Sequence, residues 1–206
     1  VIGGAAYMTV HASATRIALE CLPASWQVGL VLMERNCPED LRTDRPRLER
    51  DATELAQAFG KRLIITDRFA GAVDSDLRRQ GVELAGRFDL RMQTHLNEQW
   101  GEKQWIEDLY PEAASYTDVY RRDGLLTRSP LLAHCIRMRP EEYDMVADAP
   151  GGAIVHCPVS NTLLGSGIMP LDAVRERNIP YSICTDVGAS PTTSIESSAP
   201  SRSASR

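Results

Sequence analysis

Short runs of apolar and β-branched residues recur along the chain, separated by segments with helical spacing. The runs predict strands at residues 5–10, 28–33, 62–66, 90–95, 131–135, 153–157 and 181–185. Their ends lie roughly 20 to 40 residues apart, the length of one strand-plus-helix unit. Between residues 46 and 60, Leu48, Ala52, Leu55, Ala56 and Phe59 fall on one helical face, and Gly60 stands where a helix C-cap belongs. Residues 76–88 repeat the pattern with Leu77, Leu84, Ala85 and Phe88. Pro140 followed by Glu141 and Glu142 marks a helix start, with acids at the positive end of the dipole. Residues 170–178 read as a further short helix. Such alternation implies a parallel sheet with right-handed crossovers. Seven units fit either an open doubly wound sheet or most of a (β/α)8 barrel.

Two features favour the barrel. Neither a G-x-G-x-x-G nor a G-x-x-x-x-G-K-[ST] phosphate loop occurs. Polar, chemically capable residues stand at successive strand ends: Arg68, His95, His134, His156 and Asp186. Barrel enzymes build their active sites at that face. The expected fold is therefore an α/β, TIM-type (β/α)8 barrel, incomplete, with about seven of its eight βα units. It occupies residues 1–188. Residues 189–206, with seven serines, read as a disordered tail.

Composition narrows the classes. The 206 residues are 43% hydrophobic and 25% charged, an ordinary globular balance. A net charge of -5 argues against a nucleic-acid partner. No run of about 18 apolar residues exists to cross a membrane, and no signal peptide is visible. The five cysteines are an odd number at wide spacings without a C-x-x-C, which favours free thiols and a reducing, cytoplasmic location.

The chain holds only four histidines. Strand alternation places Gln93 and His95 on one face, and Glu98 follows His95 by three residues. A strand-end histidine with a carboxylate nearby suits a metal-activated water and a proton carrier. Taken singly, His95, His134, His156 and Asp186 each read as a buried, hydrogen-bonded polar group. Together, at four consecutive strand ends, they point to one functional centre. His11, flanked by Ser13 and Thr15 as N-cap candidates, reads as a structural or helix-capping residue.

Several blocks carry a resemblance. They are Arg68-Phe69-Ala70, Met92-Gln93-Thr94-His95-Leu96-Asn97-Glu98, Leu109-Tyr110-Pro111, Tyr116-Thr117-Asp118-Val119-Tyr120, Gly124-Leu125-Leu126, Leu132-Ala133-His134-Cys135, His156-Cys157-Pro158-Val159-Ser160-Asn161 and Thr185-Asp186-Val187-Gly188. With these the sequence resembles the metal-dependent amidohydrolase superfamily, specifically its guanine deaminase branch, over roughly residues 4–194. The resemblance implies zinc-dependent hydrolytic deamination of guanine to xanthine and ammonia. It assigns His95 and Asp186 to the metal, and makes Glu98 the proton shuttle. It gives His134 the attacking hydroxide or the leaving group to orient, and puts Arg68 and Phe69 on the purine. It also implies a small-molecule substrate and, in the intact family, a homodimer.

The family pattern includes a His-x-His pair on the first barrel strand, which this sequence does not contain. The expectation is a truncated copy that begins at the second barrel strand and lacks the C-terminal part. Its zinc would be weak or absent and its activity impaired, because a catalytic zinc normally takes three protein ligands. Asp67 stands before Arg68 where the family usually has proline, an adjacent carboxylate able to pair with Arg68 and withdraw it from substrate. Another amidohydrolase specificity, such as an s-triazine aminohydrolase, and a non-catalytic fragment remain the alternative readings.

Overall fold

The computed structural model describes residues 3–190. Seven strands form one sheet: β1 (Gly4–Tyr7), β2 (Trp26–Leu32), β3 (Leu63–Asp67), β4 (Arg91–Leu96), β5 (Leu131–His134), β6 (Ala153–His156) and β7 (Tyr181–Ile183). Every neighbouring pair is parallel, and the spatial order is the chain order. A doubly wound sheet would reverse direction at a switch point. This sheet never does, so it is the incomplete barrel that the strand-end chemistry implied. Among the described residues, β1 and β7 are its two edges.

The connections carry helices α1 (Ala12–Cys21), α2 (Arg45–Phe59), α3 (Ser75–Arg87), α4 (Trp100–Leu109), α5 (Tyr116–Arg122), α6 (Pro140–Ala147), α7 (Pro158–Leu163) and α8 (Leu171–Glu176). Local signals explain the longest. Asp44 caps α2 by accepting from the Arg47 amide at 3.3 Å, Pro46 sits in the first turn, and Gly60 ends it at φ +55°. Asp74 caps α3 through the Leu77 amide at 2.8 Å. The buried faces of both helices cover the sheet, where all of β3 and residues 28–32 of β2 are buried. Continuous apolar runs of this kind mark strands covered on both sides.

Curling brings opposite strands close. The Gln93 Nε2 of β4 donates to Thr66 Oγ1 of β3 at 2.8 Å and reaches the Ala6 carbonyl of β1 at 3.2 Å. Gly29 of β2 lies against the same pair, and a Cβ there would run into Thr66 Oγ1 and Gln93 Nε2.

The structure differs from the sequence expectation at three points. β1 and β7 end earlier than expected, because an edge strand is paired on one side only. His11 occupies the N-cap position of α1, but its side chain makes no cap, and Ser13 and Thr15 lie inside the helix. Helices α1, α4, α5 and α7 are not among the elements that the sequence pattern predicted. The expected tail lies, for residues 191–206, outside the described residues. No helix among the described residues is long and apolar enough to cross a membrane.

Candidate active site

The C-terminal ends of β3 to β7 deliver the chemistry. At the end of β4, the His95 amide donates to the Arg68 carbonyl at 3.3 Å, and its Nδ1 lies 2.6 Å from the same oxygen. A carbonyl only accepts, so Nδ1 carries the proton and Nε2 keeps its lone pair. The ring sits between Tyr7, at 4.8 Å between centroids, and His134, stacked at 5.3 Å. Burial, reinforced by His134, pushes the His95 pKa down to about 4 against the opposing Arg68 carbonyl and Asp186. The ring is therefore neutral at pH 7, the form that binds metals.

His134 ends β5 with its Nδ1 hydrogen-bonded to Asn161 Oδ1 at 2.8 Å, which leaves Nε2 for other work. That nitrogen lies 3.8 Å from Glu98 Oε2. Glu98 Oε1 accepts from Ser166 Oγ at 3.2 Å, so the carboxylate is held from one side and faces the histidine with the other. One donor atom each from His134, Cys157 and Asp186 lies within 4.8 Å of the others. Nitrogen, sulfur and carboxylate oxygen together suit a zinc-like ion. His134 and Asp186 adopt left-handed backbone, at φ +72° and +50°. Backbone in this sparsely populated region is often found at active sites.

Beside this group a cleft of about 330 Å³ is lined by Arg68, Phe69, His95, Glu98, Glu102 and Trp105. The Arg68 guanidinium lies 5.7 Å from the Phe69 ring centre, and Phe69 meets Trp105 at 5.8 Å. Gly71 allows this, because a Cβ there would strike Trp105. Glu102 accepts from Tyr116 at 2.7 Å and from the Glu98 amide at 3.2 Å. Burial raises the Glu102 pKa, and the neighbouring Glu98 charge adds to it against the Tyr116 hydrogen bond.

The structure brings His95, Glu98, His134 and Asp186 to one place, with Arg68 and Phe69 on the adjoining cleft. His95 stands beside the compact donor group through its stacking on His134, and is not among its three members. His156 stays outside that group too. Its Nδ1 is buried without a partner among the described residues, and burial lowers its pKa. The Asp67–Arg68 pairing that their adjacency allows does not form. Asp67 is fully buried and bonds the equally buried Arg78 at 2.6 Å, since a guanidinium out of water needs a carboxylate more than one at a cleft does. Arg68 instead directs Nη1 to Met33 Sδ at 3.2 Å.

Sequence reasoning missed Cys157, Cys184, Asn161, Glu102 and Trp105 as members of the site. Cys157 and Asn161 stood inside a quoted motif, and Cys184 two residues before Asp186. Nothing local marked Glu102 or Trp105. The Cys157 and Cys184 sulfurs are 3.0 Å apart, and all five thiols are free. Their contact holds the proton on Cys157, raising its pKa, and draws Cys184 toward the thiolate, lowering its own.

A consecutively wound parallel barrel sheet that gathers histidine, glutamate and aspartate at its C-terminal strand ends is a TIM-barrel arrangement able to hold a metal ion there. The chain belongs to the Amidohydrolase family, which it matches over residues 4–202. It is 30% identical to the guanine deaminase of Dictyostelium discoideum over 190 residues, 88% of this chain and 42% of that protein. Against the guanine deaminase of Escherichia coli (strain K12) it is 32% identical over 169 residues, 80% of this chain and 38% of that one. Among solved structures, the guanine deaminase of C. acetobutylicum with guanine bound in its active site superposes with a TM-score of 0.88 at 29% identity, covering 95% of this chain and 48% of that chain. The chain thus spans about two fifths of the length of the curated relatives it matches.

Proposed function

We propose that this centre serves the hydrolytic deamination of guanine to xanthine and ammonia, with zinc as its metal. The observation that carries the reading is Glu98 facing His134 at 3.8 Å beside a cleft bearing Arg68 and Phe69. The guanine deaminase relatives support the choice of substrate. His95, neutral with a bare Nε2, and Asp186 are fitting zinc ligands. When bound, the ion supplies Lewis acidity that makes water a usable nucleophile near neutral pH.

The chain's own residues do the rest. Glu98 takes a proton from the attacking water and passes it to the purine ring nitrogen, then moves the proton of the newly added hydroxyl to the departing amine. Ammonia leaves poorly unless it is protonated, so this shuttle is needed. His134 Nε2 orients the attacking water or the leaving nitrogen. The Arg68 fork holds the purine carbonyl in plane while Phe69 covers the ring face. One water is consumed, the amino-bearing carbon becomes a carbonyl, and one ammonia departs.

Binding tests the substrate without requiring turnover. In zinc-containing buffer, calorimetry should show guanine bound in preference to adenine and an aminotriazine, and weakened by Arg68→Ala. Equal binding of all three, or a triazine preference, overturns the reading. Zinc-dependent ammonia release from guanine, measured against His95→Ala as the blank, reads the chemistry directly.

A further inference from the structure

Cys157 directly follows β6, and Cys184 directly follows β7. His156 and Ile183 are partners in the register of those strands, so the two cysteines occupy the next cross-strand position. The Cys184 amide donates to the His156 carbonyl at 2.8 Å, which carries the pairing on to that position. Neighbouring strands lie about 4.8 Å apart, inside the Cα separation of roughly 4.4–6.8 Å that a disulfide accepts. The sulfurs already touch at 3.0 Å. Cys157 is buried and Cys184 is half-buried, so one thiol can meet a reagent and the other can resolve the product.

We propose that Cys157 and Cys184 are a redox-active thiol pair that closes to a disulfide within the folded protein, and that closure takes the Cys157 sulfur out of the His134–Cys157–Asp186 donor group. The oxidant of the step is a small-molecule disulfide such as oxidised glutathione. The Cys184 sulfur attacks one glutathione sulfur, the glutathione disulfide bond breaks, and one glutathione leaves and takes up a proton. The Cys157 sulfur, its proton lost to solvent, then attacks Cys184 and expels the second glutathione. Two protein thiols are oxidised by two electrons, and one glutathione disulfide is reduced to two thiols. The cross-link ties the β6 end to a point two residues ahead of Asp186. It stands apart from the deaminase reading; only its effect on an ion bears on that site.

The test begins with reduced, folded protein incubated with oxidised glutathione, then alkylated and mapped by mass spectrometry. The expected product is one linkage joining the peptides of residues 157 and 184, with two hydrogens lost and full reversal by dithiothreitol. Cys184→Ser should leave Cys157 alkylatable after the same treatment. If both thiols are still alkylated while exposed Cys21 carries glutathione, the pair does not close and the proposal fails. Zinc affinity, measured by chelator competition, should fall about 10–100-fold on oxidation of the wild type, on the scale of lost metal-site support. In Cys184→Ser it should not respond to oxidant. Equal affinity of the reduced and oxidised wild type would overturn the effect on the donor group. Loss of guanine selectivity would touch only the deaminase reading.

Discussion

Glu98 and Arg78 are the side chains whose replacement tells most at the residue scale. Glu98 is held by Ser166 and faces His134, and it is neither one of the proposed zinc ligands His95 and Asp186 nor a member of the three-donor group. Glu98→Gln keeps the shape and removes the transferable proton. Zinc affinity should be preserved, while any zinc-dependent ammonia release from guanine should fall about 10²–10⁴-fold. Undiminished release would remove Glu98 from the mechanism. Arg78 is fully buried, bonds Asp67 and Asp123 at 2.6 Å each, and donates to the Val73 carbonyl at 2.9 Å. Arg78→Leu would leave buried Asp67 without its cation and Asp123 with only the exposed Arg79, at 2.8 Å. It should destabilise the fold by about 3–5 kcal/mol in chemical denaturation, the cost of breaking a buried pair from one side.

Between elements, Glu142 of α6 joins more of the fold than any signal in its own helix indicates. Its carboxylate accepts from the Arg139 amide at 2.8 Å, from Asn97 after β4 at 2.9 Å, and from the Thr117 amide and hydroxyl of α5 at 3.2 and 2.9 Å. Lys103 of α4 lies 3.4 Å away. Burial alone would raise the Glu142 pKa, but these donors and the Lys103 charge hold it below the usual carboxylate value. A carboxylate depressed in the folded state contributes stability above its unfolded pKa of about 4.3 and loses it as pH falls through the folded value. Glu142→Gln should therefore cost about 1–3 kcal/mol at pH 7. The gap from wild type should narrow as the pH is lowered through the acid range. Urea titrations at neutral and acidic pH check both statements, and a gap that widens in acid would contradict the assignment.

For the whole molecule, curvature rests on the crowded interior where β1 to β4 approach one another. Gln93 bridges Thr66 and the Ala6 carbonyl, and Gly29 leaves the room for it. Gly29→Ala pushes a methyl group into that bridge. It should destabilise the protein by about 1–3 kcal/mol, as overpacking does, and lower the thermal midpoint. An unchanged midpoint would mean that the interior is looser than the Gln93 bonds imply.

How much of this was written in the chain follows from the range of each interaction. All seven strands, helices α2, α3, α6 and α8, and the Gly60 cap were legible, because apolar periodicity and capping residues act within a few positions. The strand-end placement of His95, His134 and Asp186 was legible for the same reason: a residue after an apolar run lies at a barrel's active face. The partner of Asp67 was not. The adjacent Arg68 was the nearest cation in sequence, yet Arg78, one turn into α3 and shut away from water, claims the carboxylate. Nor could sequence show that Cys157 joins His134 and Asp186, that Cys157 touches Cys184, or that Trp105 closes on Phe69. Those contacts depend on strand register, barrel curvature and helix docking. They are set by packing over the whole chain, and only the tertiary structure decides them.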